Sequence, residues 1–375
     1  MGASFISSPV HQHRIAEFVV AAVGDLMLGD SPTSPGCGFH TAYPRQSAWE
    51  ALQPLGSLAT GADLVLGNLE VVLSEQAEGT RRIDRDAMRG DPEYAGVLAR
   101  LGFNVLAVAN NHAMQHGDLG FVRTVEALRA VGLAVAGLRG EDGWCCQPVV
   151  RTARTGIRAG VLAYSFRPRQ YGTGVPPYAV GTEDEIVADV QRLAPSVDHV
   201  VISLHWGEEF VNLPSVDEVA FATRIVHAGA RVIIGHHPHV VRPIDFDGHA
   251  CIAYSLGNAC SDMVFLPEFR TGLALRARLQ DAGMHVEARR IDTTADYRAK
   301  ISSAWAPVVP GRCTPLPMTK YREAIIRSMA RYRRAVLAHV LRSVTRMPPD
   351  ILVDQLWRKT RNLLSRFTSA TPGRT

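Results

Sequence analysis

No apolar run in the 375 residues approaches the roughly 18 needed to span a bilayer, so no transmembrane helix is expected. The opening stretch, MGASFISSPVHQHRIAEF, lacks the basic and apolar regions of a secretory signal, and the expectation is a cytoplasmic chain. Cysteine is scarce. The six thiols (Cys37, Cys145, Cys146, Cys251, Cys260, Cys313) form no C-x-x-C spacing, which argues against a disulfide framework and a thiolate zinc site. They read as reduced residues with structural roles. Neither sign of charge dominates, the net being +4, but the balance is uneven. From Lys320 to Thr375 thirteen Lys or Arg face three acids, a surplus of ten, so the first 319 residues carry −6. A basic end of this kind meets something acidic or forms the solvated face of a docked helix. Few aromatics interleave it and no nucleic-acid motif accompanies it, so nucleic acid is not expected as a partner.

What is present is a 46% hydrophobic, 20% charged chain, ordinary for a folded protein of this size. Short β-branched runs alternate with helical patterns, the signature of βαβ construction. Strands are expected at Glu17–Gly24, Asp63–Asn68, Phe103–Asn110, LAVAG, IRAGVLAYS, DHVVISLHWG and RVIIGHH. Helices are expected around Trp49–Leu58, from Asp91 as N-cap with Pro92 leading the first turn, over Leu119–Val131, behind a cap at Thr182, and along VDEVAFATRIVHAG. HACIAYSLGN, TGLALRARLQ and MHVEARRI follow one another without helices, so antiparallel pairing is expected there. Residues 304–319 are Pro-rich and read as a linker or an extended crossing segment. Tyr321, Ile325, Met329, Tyr332, Val336, Val340 and Val344 then recur at helical spacing, which predicts an amphipathic helix docked on the body, with a second short helix over Asp350–Arg366.

Polar residues gather where the strands end. Asp25 follows the first strand, Asn68 and Glu70 the second, and Asn110, Asn111 and His112 the third. His205 ends another strand, and VIIGHHPHVV places His236, His237 and His239 at the end of the next. Ligands of α/β sheets bind beyond the carboxyl ends of strands, so these five loops should converge. Taken singly, each has a bland reading: GD as a turn, Asn–Asn as turn chemistry, His205 as a half-buried histidine. Five such clusters at equivalent ends favour a metal site. Carboxylates, an amide oxygen and imidazoles suit Mn, Fe or Zn as one or two divalent ions.

The stretches VGDLMLG, GNLE, ANNH, LHWGEE, GHHPHV and YSLGN, between Val23 and Asn258, resemble the CapA family of capsule-synthesis proteins associated with poly-γ-glutamate. That family is a branch of the calcineurin-like metallophosphoesterases. The resemblance implies an α/β fold, a four-layer αββα sandwich, here carrying a C-terminal helical extension. By position it implies Asp25, Glu70, Asn111, His205, His237 and His239 as metal ligands and His112 as the general acid. Asn68, Asn110, His236 and Asn258 would line or back the site, His236 standing as an alternative to His237. Three departures bear on the chemistry. Met27 stands where the superfamily carries a histidine, Gly67-Asn68-Leu69-Glu70 stands where it carries Gly–Asp–x–x–Asp, and Gln115 stands where an aspartate is usual, with His116 and Asp118 nearby as substitutes. One ion, two ions and a degenerate site all fit these residues.

The domain reading is 16–303 for the CapA-like body, 304–319 for the linker and 320–375 for the basic extension. The expected activity is metal-dependent hydrolysis or transfer at a phosphoester or acyl-phosphate-like anion. The alternative is a non-hydrolytic accessory in polymer synthesis that binds an acidic chain. Partners implied are a small anionic or polyanionic substrate, other proteins of the pathway, and a peripheral membrane contact through the basic tail.

Overall fold

Nine successive residues, Phe18–Leu26, form a strand with every side chain buried, because both faces of it are covered. Phe18, Val20 and Ala22 point to one side and Ala21 and Val23 to the other, the period-two alternation of a pleated strand. The computed structural model describes residues 17–75, 79, 81–167, 171 and 174–354.

Leu64–Leu69, Val105–Ala107 and Ala134–Ala136 follow this first strand in parallel order on one side. On the other side Thr271–Gln280, Gly283–Thr293 and Ala299–Ile301 add an antiparallel wing. A second sheet runs Ile244–Phe246, Cys251–Ala253, Ala230–His236, His199–His205, Arg158–Ser165, Val149–Thr152, its central members parallel. The two sheets face each other across one apolar layer that draws Val20, Leu66 and Leu275 from the first and Val201, Val232 and Ile234 from the second. Helices Tyr94–Arg100 and Gly117–Ala130 cover the outer side of the first sheet. Helices Glu183–Leu193 and Val216–His227 cover the second. The result is four layers, αββα. Thr182 and Ser215 each close a capping box, with Glu185 and Glu218, which fixes where those two helices start.

Several expectations are corrected. The helix around Trp49–Leu58 is one turn, Ala48–Leu52, that passes into a 3-10 segment, Gln53–Ala59, where Pro54 lacks the N–H that α-helix requires. The helix led by Asp91 begins at Tyr94; the Asp91 carboxylate accepts from the Glu93 N–H at 2.9 Å. HACIAYSLGN does not form one antiparallel strand. It splits into Cys251–Ala253, antiparallel to Ile244–Phe246 as expected but parallel to Ala230–His236 on its other edge, and Asn258–Cys260, parallel to Phe18–Leu26 in the first sheet. Gly257, with φ +65°, makes the bend that carries the chain between sheets. Val149–Thr152 is a strand that patterning did not indicate.

Residues 304–317 cross the body in extended form. Ala306–Pro307 pairs with Gly283–Thr293, Gly311 exchanges backbone bonds with Phe246, and Leu316 donates to Pro214 at 2.8 Å. The helix Met318–Ser343 follows. It docks through Tyr332, stacked on Phe210 with ring centroids 4.4 Å apart, and through Tyr321 on Arg242. Part of the expected second short helix, 349–354, is described; the rest, like the N-terminal stretch 1–16, lies outside the described residues. Of the cysteines, Cys146, Cys251 and Cys260 are buried, all six are free, and burial raises the Cys146 thiol to about 12.

Candidate metal centre

Parallel strands that stop together deliver their next residues to one place, and here five do so. Asp25 is the penultimate residue of Phe18–Leu26, Asn68 lies in Leu64–Leu69, and Glu70 follows it directly. Asn110, Asn111 and His112 follow Val105–Ala107. His205 and His236 are the last residues of their strands, and His237 and His239 stand in the turn beyond. Both turn histidines have positive φ, +93° and +56°, around Pro238. Left-handed backbone at non-glycine residues costs on the order of 1–3 kcal/mol each and is held only where the surroundings dictate it. The strain is spent on pointing two imidazoles inward.

Every one of these residues is buried. Asp25 is fully supplied with partners. Asn68 Nδ2 donates to its Oδ1 at 2.8 Å and the His237 N–H to its Oδ2 at 3.2 Å. His239 Nδ1 lies 3.3 Å from Asp25 Oδ2. His236 Nδ1 lies 3.2 Å from Oδ1 without the alignment of a hydrogen bond, and neither of its ring nitrogens has a partner. Glu70 is the opposite case: buried, with both carboxylate oxygens lacking any hydrogen-bond partner. Around its Oε1 stand Nε2 of His205, His112 and His239 at 3.7, 3.8 and 3.9 Å.

The electrostatics follow from this crowding. Burial and the neighbouring Asp25 push the Glu70 pKa well above its ordinary value. Burial acts the same way on Asp25, but His236 and His239 beside it outweigh that and hold its carboxyl well below the usual range. Burial lowers His205 and His237 strongly and His112 to about 4. On His239 burial is outweighed by Glu70 and Asp25, which carry its pKa up to about 10. Two buried carboxylates thus draw positive charge to themselves.

Two groups of donors lie with their ligand atoms within 4.8 Å of one another: Asp25, Glu70 and His205, and Glu70, His237 and His239. Glu70 belongs to both. Asn111 Oδ1 is 2.6 Å from His205 Nε2, near the separation of about 3 Å for two ligands on one small divalent ion. The donor set, oxygen and imidazole without thiolate, is of the kind that fits a borderline or hard divalent cation.

The remaining expected residues have other tasks. Asn110 donates to the Leu69 carbonyl at 2.9 Å and accepts from the His112 N–H at 3.1 Å, shaping the loop. Asn258 backs the site: its Oδ1 contacts His239 Nδ1 at 3.0 Å and its Nδ2 donates to the Phe269 carbonyl, so it orients His239. Met27 packs its side chain with Met88, Val240, Met263 and Phe269. Gln115 takes the place of the missing aspartate itself, its Oε1 2.6 Å from His112 Nδ1. His116 instead meets the Ala87 carbonyl, and Asp118 is exposed in the first turn of its helix, so neither substitutes. Two aromatic walls were not foreseen. Tyr171 lies 5.9 Å from the His112 ring and Phe210 6.2 Å from that of His239. Phe210 directly follows the LHWGEE stretch; Tyr171 opens a Gly/Pro-rich loop, which gave no signal.

Two sheets face to face between helical layers, with these donors at the carboxyl ends of the parallel strands, define a four-layer αββα sandwich with one cluster of oxygen and imidazole donors. Within that class the chain belongs to the family described as bacterial capsule synthesis protein PGA_cap, which matches residues 19–263. It is similar to the capsule biosynthesis protein CapA of Bacillus anthracis, 28% identical over 264 residues, covering 68% of this chain and 62% of that protein. It is also similar to a "Probable polyglutamine synthesis accessory protein" of Mycobacterium tuberculosis, 30% identical over 227 residues, covering 57% of this chain and 59% of the other. The chain therefore spans about six-tenths of the length of these relatives. Among solved structures, a 5'-nucleotidase from Candida albicans is similar with a TM-score of 0.44 at 11% identity, over 76% of this chain and 53% of that one.

Proposed function

We propose that the centre around Glu70 holds one or two divalent ions of manganese, iron or zinc and hydrolyses, or transfers at, a phosphoester or acyl-phosphate-like anion in capsule or polyglutamate synthesis. One observation carries this reading: a fully buried carboxylate with no donor to either oxygen, ringed by three imidazole nitrogens at 3.7–3.9 Å. An arrangement of that kind is costly unless a cation belongs in it.

In this reading Asp25, Glu70, Asn111, His205, His237 and His239 hold the metal, Glu70 standing between the two groups of donors. When bound, the ion supplies Lewis acidity and an activated water. His112 moves the proton. Its Nδ1 faces Gln115, so its Nε2 is the atom that takes a proton from the nucleophile or returns one to a leaving oxygen. Asn68 fixes Asp25 and Asn258 fixes His239, while Tyr171 and Phe210 shield the site from water.

The test is elemental analysis of protein grown in metal-supplemented medium, followed by assay against phosphodiesters and acyl phosphates. His112→Ala should keep its metal and lose activity, and Glu70→Gln should lose both. Metal-loaded protein that turns over no phosphorylated compound would refute the hydrolase. A second reading then stands, a non-hydrolytic accessory that binds an acidic chain and works only beside the pathway's other proteins. It is favoured by Met27, which leaves one ligand position unsupplied, and by the uncharged Gln115 behind His112.

A further inference from the structure

The helix Met318–Ser343 has two different faces. Tyr321, Tyr332 and Val340 turn toward the body. On the opposite face Ile326, Leu337 and Leu341 are 71%, 53% and 66% exposed. At 3.6 residues per turn these three fall within about 60° of one another, with Ala330 between them and Glu323, paired with Lys320 and Arg327, at one edge. Arg322 and Arg333 flank the stripe on one side and Arg327 and Arg334 on the other, all exposed. Within the helix Glu323 is the single acid against seven Lys or Arg.

Scattered exposed leucines are ordinary; an apolar line edged by cations along one helix is the pattern of a helix lying in the headgroup plane of an anionic bilayer. The long arginine side chains keep their charge at phosphate level while the stripe enters. A second copy placed face to face would set arginine against arginine. A soluble polyanion would leave Ile326, Leu337 and Leu341 without a use. No described helix is long and apolar enough to cross a membrane, so the contact is one of surface.

We propose that this outer face docks the protein on an anionic lipid surface, with Ile326, Leu337 and Leu341 entering the headgroup region and the flanking arginines meeting lipid phosphates. The inner face of the same helix stacks Tyr332 on Phe210, whose ring neighbours His239. Docking therefore brings a wall of the metal centre within about one helix diameter, 10–12 Å, of the bilayer. The proposal does not depend on what the centre catalyses.

The full chain is sedimented with vesicles of phosphatidylcholine alone and of an equal mixture with phosphatidylglycerol. Binding is expected to the mixed vesicles only, and to weaken at least tenfold between about 0.1 and 0.5 M salt. Leu337→Glu with Leu341→Glu should lower partition by roughly tenfold or more, and Arg333→Gln with Arg334→Gln by roughly tenfold. Both changes lie on the exposed face, so thermal unfolding should be unmoved and a folding defect is recognised at once. Failure to bind mixed vesicles overturns the proposal. So does binding that the leucine variant leaves intact and soluble polyglutamate competes away, which would make the arginines a polyanion site. A concentration-dependent dimer lost in the leucine variant, without vesicle binding, would assign the face to a second copy and overturn it as well.

Discussion

Gln115 Oε1 lies 2.6 Å from His112 Nδ1, and Gln115 Nε2 donates to the Ala87 carbonyl at 3.1 Å. The second bond fixes the amide with its oxygen toward the ring, so His112 carries its proton on Nδ1 and presents a bare Nε2, 3.8 Å from Glu70. Burial holds the ring neutral, its pKa near 4. Gln115→Asp would put a carboxylate where the amide is, favour the imidazolium, and raise the His112 pKa by roughly 1–3 units. The imidazole C–H resonance followed by NMR against pH reads the shift directly, and the acid limb of the rate profile should move up with it. An unmoved titration would remove Gln115 as the partner of His112.

Glu70 gives the clearest dependence on pH. Its folded pKa is raised by burial and by Asp25, so the folded chain holds a proton there that the unfolded chain releases above about 4.5. The contribution of Glu70 to stability is thus present at low pH and lost as pH rises through the folded pKa. In metal-free protein, Glu70→Gln should be neutral in acid and stabilising by about 1–3 kcal/mol at neutral pH, where the unfolded chain is free to ionise Glu70 and burial opposes it in the folded one. Added metal should reverse the order, stabilising the parent chain and leaving the variant unchanged. Urea unfolding with and without metal, at several pH values, measures both signs.

The strand ends were legible because buried parallel strands read as apolar runs, and a polar residue at the end of such a run has to be explained. Val232–His239 and Leu64–Glu70 are of that kind. What could not be read is whatever depends on a distant backbone. The path of HACIAYSLGN from one sheet to the other is set by contacts of Gly257 with Gly24 and Thr271, and no local pattern carries them. The same holds for Phe210, an unremarked aromatic after two glutamates until Tyr332 stacks on it. At Gln115 the sequence showed a missing aspartate, but only the geometry shows the amide standing in the same place.

Arg242 is among the most deeply buried side chains, 1% exposed, and reaches Glu218 Oε1 at 2.6 Å, the carbonyls of Val211 and Glu208, and the Tyr321 hydroxyl. It ties the start of helix Val216–His227 to the start of Met318–Ser343. Arg242→Met leaves Glu218 without its cation and should cost about 3–5 kcal/mol. Chemical denaturation checks this, and adding Glu218→Gln should recover part of the loss, because the stranded charge is then gone.

Gly24 and Gly257 meet backbone to backbone. A Cβ on Gly24 would lie 1.8 Å from the Gly257 carbonyl oxygen, the same oxygen that accepts the Asp25 N–H at 2.9 Å. No rotamer can relieve a clash between main chains, so Gly24→Ala must push Asn258–Cys260 away from the first strand. Asp25 and Asn258 sit on those two segments, and metal affinity is expected to fall by about 10–100-fold, as when ligand supports are removed. Stability should fall by about 2 kcal/mol or more from the overpacking. Gly96→Ala is the control: within helix Tyr94–Arg100 its added Cβ meets nothing within 4 Å, and it should stabilise by about 0.5–1 kcal/mol. The same substitution with opposite signs separates loss of glycine freedom from loss of a close approach. If Gly24→Ala kept parental metal affinity, the contact between these two glycines would not be what places Asp25 beside Asn258.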